Sequence, residues 1–500
     1  MLRVTVVGIL ERWEEVCALM NTSDMLVRTI RVRNRHEPGV FGRLAKAIGD
    51  QDGMLGTIST VALTSQYTVR DLDVLVDDEA HLQRVLAAIA ALPDSQVLEV
   101  RDEVLAAHRG GKIRMVSRQP IGSLAELRKV YTPGVAEVCL LLRDQPDLAY
   151  LYTGLGQSVA IVTDGTAILG LGNIGPVAGL PVMEGKAALL HDLVGLSGVP
   201  VLVGSTDPDE IVRTVQAIAP GFGAIQLEDI AAPACFEVEA RLRDSLDLPV
   251  FHDDQQGTAA VTLAAVINAC RLAGRDPSAV QIGCIGLGAA GLSIATLLRD
   301  YTGQPVLGAD IRPAALRRHE ERGNRPTTRE EVLACCDVVV ATTGVKGLIA
   351  PEQVRAGQII LALSNPEPEI TPGAALAAGA AYAADGTSVN NILGFPGLLR
   401  GALETRARRY TSSMFVAAGL AIAAAAAPGE LVPDPLDRRV HLAVTLAVAR
   451  AAVEAGVARV APDEEMLVAS FGDPGQPNAP GTVALTGPLA TRSSATARRR

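Results

Sequence analysis

Two stretches of this chain end a strand-like apolar run on a pair of acids. In "AIQLEDI" the run Ala224 to Leu227 meets Glu228 and Asp229; in "VFHDDQQGTAA" Val250 leads into Asp253 and Asp254, and small residues then open a helix. Helix capping accounts for one aspartate at such a junction but not for two. Asp229 and Asp254 stand 25 positions apart, room for one helix and one strand of a βαβ unit. If the two strands are parallel, their carboxyl ends share one rim of the sheet, where open α/β folds bind ligands. Four carboxylates on one rim repel each other unless a cation lies among them, and oxygen donors suit a hard divalent ion, Mg2+ or Mn2+.

A second chemical signature begins at Val280. "VQIGCIGLGAAGLSIATLLRDYTGQPVLGADIRP" reads as a strand, the fingerprint Gly286-x-Gly288-x-x-Gly291, a helix, a second strand and Asp310. A Gly-x-Gly-x-x-Gly alone is weak evidence; with strand, helix and acid all in place it points to dinucleotide binding. The first two glycines let the backbone turn and approach a pyrophosphate, and the third lets helix and strand pack closely. Asp310, accepting bonds from ribose hydroxyls and repelling a 2′-phosphate, favours NAD over NADP, with Arg312 as a counterweight. The strands in "CDVVVATTG", "QIILALSNP" and "AAYAADG" extend the same sheet.

The elements that must position these groups fill 500 residues, enough for about three domains of ~150 residues each. A hydrophobic content of 48% supplies cores, and a net charge of −10 argues against nucleic acid as the main partner. The N-terminus lacks the cleavage site of a signal peptide. The most apolar stretch, "SSMFVAAGLAIAAAAAPGE", falls short of the ~20 residues that span a bilayer and reads as a buried helix. Seven scattered cysteines without C-x-x-C spacing fit a reducing cytoplasm. Cys335 and Cys336, at a helix end running into a strand, read as core packing. The expected molecule is a cytoplasmic metabolic enzyme that forms a homodimer or higher homo-oligomer and binds neither nucleic acid nor membrane.

Residues 26–104 alternate in a βαββαβ order, a ferredoxin-like unit. Its turn "RNRHEPGVFGRLAKAI" resembles that of an ACT domain, a metabolite-sensing module; the resemblance implies an effector held near His36, Gly39, Val40 and Phe41 and regulation of the domains that follow. Residues 1–25 are unexplained, with Met20 and Met25 as alternative starts. A metal and substrate domain follows over 105–270 and a Rossmann-type NAD-binding domain with C-terminal helices over 271–470. Residues 471–500, rich in Gly, Pro, Ser and Thr, read as a disordered tail ending in an Arg run.

In order and spacing, "VYTPGVAEV", "TDGTAILGLGNIGPVAGLPVMEGKAALL", "IQLEDI", "VFHDDQQGTAA" and "LALSNP" resemble the malic enzyme family in its compact bacterial form, over roughly residues 105–465. The resemblance implies oxidative decarboxylation of L-malate to pyruvate and CO2 with reduction of NAD. It makes Glu228, Asp229 and Asp254 the ligands of Mg2+ or Mn2+, and Asp253 an acid that holds a catalytic lysine. It makes Lys186 the general base and Tyr131 the general acid, and it places Asn365 and Asn391 on substrate or nicotinamide. A lysine on a helix is otherwise a solvated side chain, and turn-forming is the plain role of an Asn. Burial and a nearby cation both lower a lysine's pKa toward a range where it accepts a proton. Ala167 stands where larger family members carry an arginine for the substrate carboxylate. Alternatives are a malolactic-type enzyme, a decarboxylase of another 2-hydroxy acid, and a non-catalytic sensor.

Overall fold

A computed structural model describes residues 25–168 and 171–471. The unexplained N-terminal segment up to residue 24, with Met20, and the tail from residue 472, with its Arg run, lie outside the described residues. The chain divides after Lys112 into two compact units.

The first unit alternates strands and amphipathic helices. β1 (Leu26–Arg35), a helix (Val40–Gly49), β2 (Met54–Leu63), β3 (Tyr67–Val76), a helix (Glu79–Ala90) and β4 (Ser95–Arg101) follow in order. The strands form one antiparallel sheet in the order β2-β3-β1-β4. Period-two alternation puts Ile30, Val32, Leu72 and Val74 on the covered face, against Leu44 and Ile48 of one helix and Leu82, Val85 and Ile89 of the other. The intervening positions carry charge: Asp71 accepts from Arg31 at 2.7 Å and Arg101 at 2.8 Å. These two guanidiniums, led by Arg31, hold its carboxyl down at about 2.

The second unit carries two parallel sheets. β5 (Ser158–Thr163), β6 (Ser197–Leu202), β7 (Ala224–Leu227) and β8 (Val250–His252) are ordered β6-β5-β7-β8. β9 (Ile282–Ile285), β10 (Leu307–Ala309), β11 (Arg325–Pro326), β12 (Val338–Ala341), β13 (Ile359–Ala362) and β14 (Tyr382–Asp385) are ordered β11-β10-β9-β12-β13-β14. Relative to β9 this is 3-2-1-4-5-6, the doubly wound arrangement whose switch point lies beside the first strand. The inner strands β9, β12 and β13 are short, fully buried apolar runs such as Val338–Ala341, as a sheet covered on both faces requires.

The helix Thr258–Leu272 joins the two sheets. Every residue from Ala259 to Cys270 is buried, apolar except for Thr262 and Asn268, and the apolar side chains belong to one continuous core. The apolar stretch near residue 415 is the helix Ser412–Ala425, which buries Met414, Ala418 and Ile422. Among the described residues no helix is long and apolar enough to cross a membrane. Cys336 packs in the core as expected, but Cys335 is exposed: the helix Arg329–Cys335 ends with that side chain turned outward.

Candidate active site

β7 and β8 pair in parallel, with Leu227 opposite His252. β7 ends at Leu227 and β8 at His252, so Glu228 and Asp229 leave the rim beside Asp253 and Asp254. One carboxylate oxygen from each of Glu228, Asp229 and Asp254 lies within 4.8 Å of the others. The backbone is shaped to bring them there. Asp229 has φ 54°, a left-handed conformation that costs an L-residue energy and recurs at functional sites. Its N–H donates to Asp254 Oδ2 at 3.2 Å, and its carbonyl accepts from the Ala167 N–H at 2.9 Å. Asp253–Gly257 forms one wide π-helical turn before the long buried helix. A Cβ on Gly257 would lie 1.9 Å from Asp253 Oδ1, so only glycine fits.

Lys186 reaches this rim from the helix Pro176–Val194. Its side chain is 11% exposed, its ammonium hydrogen-bonds Asp253 Oδ2, and it lies 3.1 Å from Glu228 Oε1. The Phe395 ring closes the other side, its centroid 4.5 Å from Nζ. Burial pulls the Lys186 pKa down, but the charges of Asp253, Glu228 and Asp254 outweigh it and hold the amine protonated well above its ordinary range. The sequence expectation of a lowered value is thus reversed while the carboxylates keep their charge for the ammonium alone.

Burial pushes the acids the other way. Asp229 is raised to about 8, first by burial and then by the charges of Asp254 and Glu228. Glu228 and Asp254 are raised chiefly by burial, against the pull of Lys186. Asp229 Oδ2 is buried without a hydrogen-bond donor. Three converging oxygen donors, one unsatisfied and all disfavoured as bare anions, fit a hard divalent cation such as Mg2+ or Mn2+.

The other expected residues fall into two groups. Asn391 joins the cluster, but its Nδ2 donates to Asp253 Oδ2 at 2.7 Å, so it steadies the acid that holds Lys186. Asn365, beyond the end of β13, donates to the Gly386 carbonyl at 3.4 Å and bonds none of the acids. Tyr131 caps the helix Leu124–Val130; it is 66% exposed, and its hydroxyl has no hydrogen-bond partner among the described residues. In the first unit, His36 is exposed and bonds Thr68 Oγ1 at 3.0 Å, Gly39 has φ 83°, and Arg70 covers the Phe41 ring. Val40, in the same turn, is 1% exposed, its side chain in the core.

The glycine-rich turn fits a dinucleotide. Gly286 has φ 89°, and a Cβ there would meet the Thr342 carbonyl at 2.7 Å; one on Gly291 would lie 1.9 Å from the Gly286 carbonyl. Beside Gly288 only an Arg312 nitrogen, at 3.9 Å, comes within 4 Å, which leaves room for a pyrophosphate at the start of the helix Ala289–Thr302. Asp310 is more engaged than its spacing suggests. Its Oδ2 accepts the Leu287 N–H at 2.7 Å, and Arg312 donates through its backbone at 2.8 Å and its guanidinium at 3.1 Å. A carboxylate keeps further lone pairs, so ribose hydroxyls would share it rather than own it.

The model of the malic enzyme N-terminal domain matches residues 111–243. A protein named NAD-dependent malic enzyme 1, from Bacillus subtilis, is 55% identical over 432 residues, covering 86% of this chain and 98% of its own length. The chain belongs to the malic enzyme family. The crystal structure of malic enzyme from Pyrococcus horikoshii superposes with a TM-score of 0.70 at 39% identity, over 73% of this chain and 94% of that one. The bifunctional malic/malolactic enzyme of Bacillus subtilis is 40% identical over 74% of this chain and 97% of its own.

Two partners in this malic enzyme chain escaped the sequence reading. Gln226, fully buried within β7, donates to Glu228 Oε2 at 2.7 Å and aims that carboxylate. A polar residue inside an otherwise apolar strand was the available signal. Phe395, the lid on Lys186, carried none.

The Asp229 shift sets a pH dependence. A carboxyl raised to about 8 from 3.8 binds a proton in the folded chain that the unfolded chain has lost. Its contribution to stability is therefore present below that window and lost as pH rises through it. Scanning calorimetry in EDTA should show wild-type Tm falling relative to Asp229→Asn across this range, and Mn2+ should restore wild type alone. Parallel Tm curves for the two proteins, with no Mn2+ effect, would contradict the assignment.

Proposed function

We propose that the chain catalyses oxidative decarboxylation of L-malate to pyruvate and CO2 with reduction of NAD, dependent on Mg2+ or Mn2+. The observation that carries this reading is the Lys186 ammonium between Asp253 and Glu228, on the same rim as Asp229 and Asp254. Glu228, Asp229 and Asp254 would hold the ion. When bound, it supplies a Lewis acid for the C2 oxygen of the substrate and neutralises the acids around it. Asp253, steadied by Asn391, fixes the Lys186 amine, which takes the C2 hydroxyl proton as hydride leaves for the nicotinamide. Tyr131 returns a proton to C3 after CO2 departs. Asn365 lies on the substrate or nicotinamide side, and Gly286, Gly288, Gly291 and Asp310 hold the dinucleotide. Released pyruvate rather than lactate is the main reading; the 40% identity to a bifunctional malic/malolactic enzyme keeps release of lactate as the second.

The proposed division is a regulatory module over 26–104, a metal and substrate domain over 105–270 and a dinucleotide domain over 271–470. A homo-oligomer is supported by apolar side chains left in solvent along residues 115–131, among them Met115, Val116 and Leu124, each more than two-thirds exposed. The scattered cysteines support a cytoplasmic location. For the first unit the reading is an ACT domain, supported by its βαββαβ order and by the exposed turn at His36 and Gly39.

Absorbance at 340 nm should rise when the protein meets L-malate, Mn2+ and NAD, and EDTA should abolish the rise. Lys186→Ala and Tyr131→Phe should each lower kcat by ~10²–10⁴-fold with the fold intact. Near-normal turnover in either variant would remove its role, and lactate without free NADH would move the assignment to the malolactic reaction. For regulation, an amino acid from a panel should shift malate kinetics of the full chain, and His36→Ala with Phe41→Ala should abolish the shift. An unaltered response in that double variant would refute an effector site there.

A further inference from the structure

A cavity of about 320 Å3 lies between the helix Ala234–Ser245, the helix Ala289–Thr302 and the segment Tyr410–Phe415. None of the residues assigned above to metal, lysine or dinucleotide lines it. Its walls carry four charged groups, Glu239, Arg243, Asp300 and Arg322, with Gln256 and Ser412 between them.

The acids are satisfied. Glu239 Oε1 accepts from Gln256 Nε2 at 2.7 Å, and Asp300 accepts from Arg299 and Ser412. The Arg322 cation is not. The part-buried Arg322 guanidinium has no hydrogen bond or ion pair among the described residues and rests over the Phe236 ring, 5.6 Å from its centroid. Arg243, about half exposed to water, lies 3.9 Å from its neighbour Asp244. Burial lowers the Arg322 pKa, partly offset by Glu239 and reinforced by Arg243. A guanidinium partly withdrawn from water without a planar acceptor suits a bidentate oxyanion.

The cavity wall is also wired to the catalytic rim. Gln256 donates to Glu239 through its amide nitrogen and accepts the His252 N–H through its oxygen at 2.9 Å. His252 directly precedes Asp253 and Asp254.

We propose that this cavity is a regulatory site for a small oxyanion, a carboxylate or a phosphate, held by Arg322 with Arg243 and coupled to the Asp253–Asp254 turn through Glu239 and Gln256. Its source, free phosphate, a phosphate ester or a carboxylate, is separated by three probes: inorganic phosphate, glycerol 3-phosphate and acetate. Each is titrated calorimetrically into the full chain saturated with NAD and Mg2+, so that the dinucleotide's own phosphate cradle is filled. At least one probe should bind saturably. Arg322→Gln should weaken it about tenfold or more, the loss expected for one charged hydrogen-bonding partner. Arg322→Lys should keep part of the affinity, and Ala240→Phe, which fills the cavity from another wall, should abolish binding without touching Arg322. The bound probe should shift the KM for malate in wild type and not in Ala240→Phe, whose kcat without probe stays unchanged. Absence of binding by all three probes, or wild-type affinity in Arg322→Gln and Ala240→Phe, would overturn the site; binding with no KM shift would overturn its regulatory role. The kinetic arm rests on the malate reaction proposed above. The calorimetric arm does not, so the two failures are distinguishable.

Discussion

Four carboxylates share one sheet rim with a single ammonium. Glu228, Asp229 and Asp253 are almost wholly shielded from water, and Lys186 is the only cation that contacts them among the described residues. Burying unbalanced charge is expensive unless partners compensate, and breaking one partner of such a set costs more than the pair itself contributes. The arrangement therefore demands either protons or a second cation, and both answers appear in the same numbers: Asp229 pushed up to about 8, and three oxygens converging within 4.8 Å.

Much of the second unit can be understood as support for that rim. Parallel pairing of β7 and β8 aligns the strand ends, the left-handed Asp229 turns one acid inward, and the wide turn at Asp253–Gly257 presents two successive aspartates to different neighbours. One of them holds Lys186; the other converges with Glu228 and Asp229. The turn feeds directly into the fully buried helix Thr258–Leu272, which packs in the same core as the strand ahead of the glycine-rich loop. Rigid burial of that helix fixes the acids relative to the dinucleotide turn, the pre-organisation that hydride transfer requires.

What could be read from the chain depended on the range of the signal. The acid pairs were legible because an apolar run ending on two carboxylates is a local pattern with a physical consequence. The glycine fingerprint was legible for the same reason, and so were the later strands that extend its sheet. Lys186 was reachable only through family resemblance, because nothing local distinguishes a helical lysine that enters a buried site from one that extends into water. Gln226 and Phe395 went unseen, since their importance lies in contacts across elements. The bond from the Asn391 amide to Asp253 and the burial of the Val40 side chain went unseen as well. In each miss a tertiary contact overrode a local reading.

The carboxylates keep Lys186 protonated, and a divalent cation among them would release it to act as a base. NMR of the full chain carrying ε-13C lysine, titrated with base with and without Mg2+, measures this at the amine itself. Without the ion, the Lys186 signal should remain that of an ammonium beyond the ordinary lysine value of 10.5; with Mg2+ its titration should move to distinctly lower pH. A Lys186 that titrates at or below its ordinary value without metal, or whose titration Mg2+ does not move, would contradict the account.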